Sequence, residues 1–163
     1  MTAPFRVGVG YDIHRLVENR RLIVGGIEID HPKGLIGHSD ADVVLHAVID
    51  ALLGAAGLPD IGDLYPDDDE AYKDADSRLL IKDATERVRA KGYEVGNIDV
   101  IVHAEAPKLS PYKARIVESI AELIGVTPDQ VSVKAKTNEG MGPLGSADAI
   151  ACTAVAAVYR GSS

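Results

Sequence analysis

The 163-residue sequence predicts an α+β fold, a mixed four-stranded sheet with helices packed on one face. Three observations predict it. Phe5–His14 and Val131–Thr137 alternate apolar with small or polar residues, the period of a half-buried strand. Three other segments repeat apolar residues at helical spacing. Strand and helix patterns follow one another in mixed order, with no repeat, low-complexity tract or linker to divide the chain, so residues 1–163 read as one domain.

After the first strand, Arg21–Ile29 reads as a short hairpin around Gly25-Gly26. Asp40–Ala56 reads as a helix. Val44, Val48, Ala51, Leu52 and Ala55 recur on one side, Gly57 and Pro59 end the run, and Ser39 or Asp40 is the expected N-cap. Asp42 and His46, four apart, then share a face. Gly57–Lys73 is rich in Gly, Pro and Asp and reads as a long loop. Ser77–Lys91 is an amphipathic helix (Leu79, Leu80, Ala84, Val88) closed by Gly92, and Val95–Ala104 a strand. Pro107–Gly125 holds a third helix, with Ile116, Val117, Ile120, Leu123 and Ile124 apolar. Ala147–Tyr159 suits helix or strand by composition; it is assigned to a strand that fills the sheet edge.

Composition narrows the function. With 46% hydrophobic and 26% charged residues the chain is an ordinary globular one, its core built from Val, Ile, Leu and Ala in the absence of Trp. A net charge of -8 argues against a nucleic-acid-binding surface, which would need a basic stripe. A phosphorylated ligand would need local help from metal ions, backbone amides or a few cations. Cys152, the single cysteine, lies in an apolar run and reads as a buried, inert thiol in a reducing compartment. No run approaches the ~20 apolar residues that span a bilayer, and Asp12 interrupts the early apolar run, so neither membrane nor signal segment is expected and the reading is cytoplasmic.

The chemistry concentrates in a few places. On a strand, Asp12 and His14 project to the same side. A third donor, from His38 or His46, would complete an Asp/His/His set that suits zinc with an open fourth position. Gly37-His38-Ser39-Asp40 precedes a helix and could face an anion there, or simply cap it. Asp60-Ile61-Gly62-Asp63 sets a carboxylate in a turn able to bind hydroxyls. Tyr65-Pro66-Asp67-Asp68-Asp69-Glu70 reads as a solvated acidic loop. Lys136-Thr137-Asn138-Glu139 leaves a strand for a Gly-rich turn, an order that suits phosphate and a hard cation together.

These segments, with Ala75-Asp76-Ser77, Lys91-Gly92-Tyr93, Gly96-Asn97 and Ala106-Pro107-Lys108, resemble the 2-C-methyl-D-erythritol 2,4-cyclodiphosphate synthase family of the non-mevalonate isoprenoid pathway, in order and over nearly the whole chain. The resemblance implies a homotrimer whose sheets line the threefold axis, with active sites between subunits. It implies that Asp12, His14 and His46 hold zinc, that Glu139 ligates a second divalent cation, magnesium or manganese, and that His38 and Thr137 are catalytic. Substrate contacts are implied for Asp12, Ile13, His14, His38, Ser39, Asp60, Ile61, Gly62, Tyr65, Pro66, Asp67, Asp68 and Asp69. From the other subunit they are implied for Ala104, Glu105, Ala106, Pro107, Lys108, Leu109, Ser110, Lys136, Thr137, Asn138 and Glu139. The implied reaction is attack of the 2-phosphate of 4-diphosphocytidyl-2-C-methyl-D-erythritol 2-phosphate on its β-phosphate, releasing CMP, a phosphorus–oxygen lyase activity. One departure stands out: Pro143 and Ser146 replace an aromatic and an Arg associated with an axial isoprenoid-diphosphate cavity, so that ligand is not expected here. Two rival readings of the same residues are a zinc-dependent phosphohydrolase or phosphodiesterase and a non-catalytic nucleotide-binding module.

Overall fold

The C-terminal segment, ambiguous by composition, is the axis of the sheet. In a computed structural model describing residues 4–161, strand β7 (Ala149–Arg160) lies between β1 (Phe5–Glu18) and β5 (Tyr93–His103), antiparallel to both. Beyond β5 runs β6 (Val131–Lys136), parallel to it, and beyond β1 runs β4 (Lys33–Ile36), giving the order β4-β1-β7-β5-β6. The expected mixed α+β sheet is therefore present, but with five strands rather than four, and the expected edge strand is central. The additional strand pairs Lys33–Ile36 with Arg15–Glu18, past the point where the alternation of β1 is legible. Four residues after a proline carry no period to read, and at the start of β7 Ala149, Ile150, Ala151 and Cys152 are all buried, so alternation is lost there.

The hairpin forms as expected, β2 (Leu22–Val24) pairing with β3 (Ile27–Ile29) around Gly25 and Gly26, both at positive φ. Helices α1 (Val43–Ala56), α3 (Ser77–Ala90) and α4 (Lys113–Ile124) pack on one face of the sheet. The long loop contains a short α-helix, α2 (Ile61–Leu64), and a 3-10 turn (Glu70–Tyr72), and a further short helix, α5 (Gly142–Gly145), precedes β7.

Helix α1 starts later than expected, and its cap is Asp42, not Ser39 or Asp40. Asp42 is fully buried; its Oδ1 accepts from Val44 N–H (3.1 Å), Leu45 N–H (3.0 Å) and Gly25 N–H (2.9 Å), and its Oδ2 from Gly26 N–H (2.6 Å). One carboxylate thus starts the helix and pins the hairpin to it. As the cap, Asp42 stands before the first helical residue and its carboxylate is spent on these four amides, so it does not present itself beside His46 on a helix face as the i, i+4 spacing suggested. Every α1 residue is buried except His46, Asp50 and Gly54.

Close approach of α1 to the sheet depends on two glycines. A Cβ on Gly8 would lie 2.0 Å from the Ala51 carbonyl oxygen, and one on Gly10 1.9 Å from that of Ala47. Strand and helix meet main chain to main chain, which brings His46 over the end of β1 where Asp12 and His14 project. On the opposite, helix-free face, Phe5, Val7, Val9, Tyr11 and Ile13 are 44–68% exposed, flanked by Val155 and Tyr159.

Candidate metal centre

Asp12, His14 and His46 come together as the only Asp/Glu/His/Cys group of metal-holding geometry among the described residues, with donor atoms within 4.8 Å of one another. Asp12 Oδ2 lies 2.9 Å from His14 Nε2 and 3.1 Å from His46 Nδ1, and the two ring nitrogens are 3.3 Å apart. A tetrahedral ion with bonds of about 2.0–2.1 Å sets its donor atoms roughly 3.3 Å apart, so this triangle fits zinc. His14 Nδ1 donates to the Ile36 carbonyl (3.1 Å). A carbonyl only accepts, so Nδ1 carries the ring hydrogen and Nε2 keeps its lone pair for the cluster. His46, not His38, supplies the third donor.

Charge explains the readiness for a cation. Burial alone would raise the Asp12 pKa, but the His14 and His46 imidazoles beside it outweigh that and hold the carboxyl well below the usual carboxylate range. Burial of His46 opposes its charged form, yet the Asp12 carboxylate, helped by Asp42 and Asp40, wins and raises its pKa. Positive charge is favoured here, as a proton or as a metal ion.

The triad borders a cavity of about 220 Å³, also lined by Gly37, His38, Ser39, Asp50, Ile61, Gly62, Tyr65, Asp67, Tyr72 and Leu80. His38 Nε2 is buried without a hydrogen-bond partner among the described residues, a polar atom left for a ligand. Asp60, Pro66, Asp68 and Asp69 lie outside the cavity lining; Asp60 caps α2 through Asp63 N–H (2.9 Å) and Asp69 caps the next turn through Ala71 N–H. The side chain of Ile13 is on the helix-free face, away from the triad, as strand alternation requires. At the start of α1 the Val44 and Leu45 amides are taken by Asp42, so neither Ser39 nor Asp40 serves as the cap the sequence suggested.

The remaining expected residues form a second group. Ala104, Glu105, Ala106, Pro107, Lys108, Leu109 and Ser110 follow β5, and Lys136 ends β6 ahead of Thr137, Asn138 and Glu139. Glu105 Oε2 accepts from Asn138 N–H (3.0 Å), and Thr137 Oγ1 donates to Glu139 Oε1 (3.3 Å). Glu139 takes a left-handed backbone, φ 51°, uncommon outside glycine. Strand β6 is three positions from β1, roughly 14 Å by strand spacing, and none of this group lines the cavity of the triad. Within one chain the two groups do not meet.

Asp50 was missed in the sequence although its spacing shows it: four residues after His46 on the same helix, it lines the cavity and accepts from Ile61 N–H (2.8 Å). Ser77, which touches His46, belongs to the Ala75-Asp76-Ser77 segment that carries the resemblance, but nothing in the sequence pointed to this contact.

Fold and donor set together define a class, an α+β protein with an Asp/His/His metal triad at the mouth of a small cavity. Residues 5–159 match the YgbB family, and the chain belongs to it. It is 55% identical over 160 residues to the 2-C-methyl-D-erythritol 2,4-cyclodiphosphate synthase of Bordetella avium, covering 98% of this chain and 99% of that one. It is 57% identical over 162 residues to the synthase of the same name from Bordetella petrii, covering 99% and 100%. Among solved structures it is similar to IspF of Plasmodium falciparum in a CDP complex, with TM-score 0.86, 33% identity and coverage of 99% and 100%.

Proposed function

We propose that this chain is a cyclodiphosphate synthase that converts 4-diphosphocytidyl-2-C-methyl-D-erythritol 2-phosphate to 2-C-methyl-D-erythritol 2,4-cyclodiphosphate and CMP. The observation that carries the proposal is the Asp12–His14–His46 triangle, with zinc-like spacing, beside a cavity holding a His38 nitrogen that has no partner among the described residues, in a chain of this family. An oxygen of the 2-phosphate forms a new bond to the β-phosphorus, the bond from that phosphorus to the bridging oxygen breaks, and CMP leaves with the electron pair. Both reacting groups are anions, so the barrier is repulsion and misplacement. Asp12, His14 and His46 would hold zinc, which when bound would withdraw charge from a phosphate oxygen.

The chain's own residues do the holding. His38 Nε2 and the Ser39 hydroxyl hydrogen-bond the phosphates, and Asp60 and Gly62 hold the methylerythritol hydroxyls, with Asp50 fixing their turn through Ile61. Tyr65, Pro66, Asp67, Asp68 and Asp69 border that end. The second group, Ala104–Ser110 and Lys136–Glu139, holds the cytidine and the diphosphate. Thr137 there donates to the charge that develops, and Glu139 ligates magnesium or manganese. These dications answer the acidity of the chain.

Because the two groups lie roughly 14 Å apart in one chain, each site is completed by a neighbouring copy. The helix-free face, with Val9 opposite Val155 and Tyr11 opposite Thr153, provides the apolar surface for a homotrimer around a threefold axis. Light scattering should report three chains; a stable monomer would refute the shared site. The activity test is CMP release with cyclic product from the cytidine substrate in the presence of zinc and magnesium. Hydrolysis of simple phosphate esters without CMP release would establish the phosphohydrolase reading instead.

A further inference from the structure

Behind the triad, on the side away from the cavity, three elements are tied together. The segment 38–42 runs beside 74–77, with Asp74 N–H donating to the His38 carbonyl (2.9 Å) and Asp40 N–H to that of Ala75 (3.2 Å). Ser77, the first residue of α3, has no exposed surface. Its Oγ lies 2.8 Å from His46 Nε2 and also hydrogen-bonds Asp40 Oδ1. Asp40 accepts in addition from Ser77 N–H at Oδ2 (3.0 Å) and from Asp42 N–H at Oδ1 (3.2 Å).

The directions of these bonds are determined. A carboxylate only accepts, so the Ser77 hydroxyl proton goes to Asp40, and Ser77 Oγ shows His46 only lone pairs. His46 Nε2 must then be the nitrogen that bears hydrogen. In a neutral imidazole the other nitrogen has the lone pair, and that nitrogen, Nδ1, is the one 3.1 Å from Asp12 and 3.3 Å from His14. Ser39 Oγ is a weaker alternative acceptor, 3.2 Å from Nε2 and itself accepting from Ala41 N–H.

We propose that Asp40 and Ser77 are positioning residues that fix the tautomer and orientation of His46, making it an Nδ1 metal ligand. The proposal rests on the reading of the triad as a cation site. Neither residue touches the cavity, and both act through His46. Partners of this kind raise the basicity of the ligand and hold the ring in place, and their loss costs about 10–100-fold in metal affinity.

The two substitutions should act differently. Ser77→Ala removes the acceptor and releases the ring. In Asp40→Asn the amide oxygen takes the Ser77 N–H and the amide nitrogen donates to Ser77 Oγ, which turns the hydroxyl proton toward Nε2. That favours hydrogen on Nδ1, the wrong tautomer for the cluster, so this variant should bind metal at least as poorly as Ser77→Ala.

The test uses the full chain and zinc alone. Competition with a chromophoric chelator at one fixed pH gives the zinc Kd of the wild type and both variants, with circular dichroism to establish that each is folded. Proton NMR of the zinc-loaded proteins reads exchange of the His46 Nε2–H. Expected is a Kd weakened about 10–100-fold in both variants, with faster Nε2–H exchange in Ser77→Ala. A purely structural role for Ser77 would lower thermal stability and leave Kd and exchange unmoved. Wild-type Kd in either folded variant overturns the proposal, whereas absence of zinc binding by the wild type overturns the cation site itself.

Discussion

Replacing Gly10 by alanine tests whether main-chain contact between β1 and α1 sets the geometry of the metal triad. The new Cβ would sit 1.9 Å from the Ala47 carbonyl oxygen and 2.8 Å from Ala51 N. Restoring even 3.0 Å to the first contact requires strand and helix to part by about 1.1 Å, and no flexible side chain lies between them to give way. Overpacking in a close-packed core costs about 1–3 kcal/mol, and a backbone-to-backbone clash belongs at the upper end. At roughly 2–4 °C per kcal/mol for a chain of this size, Tm should fall by about 6–12 °C. Ala47 adjoins His46 and Gly10 is two residues from Asp12, so the same movement spreads the 3.1 Å contact between Asp12 and His46. Sites of this kind tolerate about 0.5 Å, and zinc affinity should drop with stability. Gly54→Ala on the same helix is the control. Its Cβ would meet nothing within 4 Å, and it should be neutral or stabilising by up to ~1 kcal/mol. Thermal unfolding and zinc titration of the two variants decide the matter; a Gly10→Ala protein with wild-type Tm and zinc Kd refutes the reasoning.

Other expectations follow from the same geometry. His46→Ala should lose bound zinc and CMP-releasing activity while circular dichroism shows a folded chain; full zinc occupancy by metal analysis would remove His46 from the ligand set. Asp42→Ala should destabilise by roughly 2–4 kcal/mol in denaturant unfolding, since it strands the Gly25 and Gly26 amides as well as uncapping α1. Asp42→Asn should cost less, because Oδ1, which holds three of the four bonds, can remain. Zinc capture must displace the proton that metal-free His46 holds more tightly than an ordinary imidazole. Apparent affinity should therefore be flat above that raised pKa and fall by up to about tenfold per pH unit below it, as read by chelator competition across pH.

Wherever a period could be counted, the fold was legible in the sequence. The strands at Phe5, Val95 and Val131, the hairpin around Gly25-Gly26 and all three long helices stand close to their expected bounds. Two further features escaped for different reasons. Lys33–Ile36 is too short to show alternation, and its pairing with β1 is a long-range fact. The cap of α1 was placed on Ser39 or Asp40 because all three polar residues are acceptable caps; only the hairpin amides, 16 and 17 residues away, select Asp42. At the site, i, i+2 spacing put Asp12 and His14 side by side, but residue chemistry left His38 and His46 equal. The contact of Gly8 and Gly10 with α1 decides between them, and it cannot be seen without the tertiary structure. Ser77 was invisible as a partner of His46 for the same reason.

Strand β1 carries two messages in alternate letters. Its even-numbered residues, Gly8, Gly10, Asp12 and His14, read toward the helix and the metal; its odd-numbered ones, Val7, Val9, Tyr11 and Ile13, read toward the uncovered face. A slip of one residue against β7 would exchange the messages, burying Tyr11 against α1 and turning both metal ligands outward. Mispaired chains would thus be unable to bind the ion and unable to present the apolar face in the same stroke. The strand proofreads its own pairing twice, once on each side of the sheet, and a molecule that passes one inspection has already passed the other.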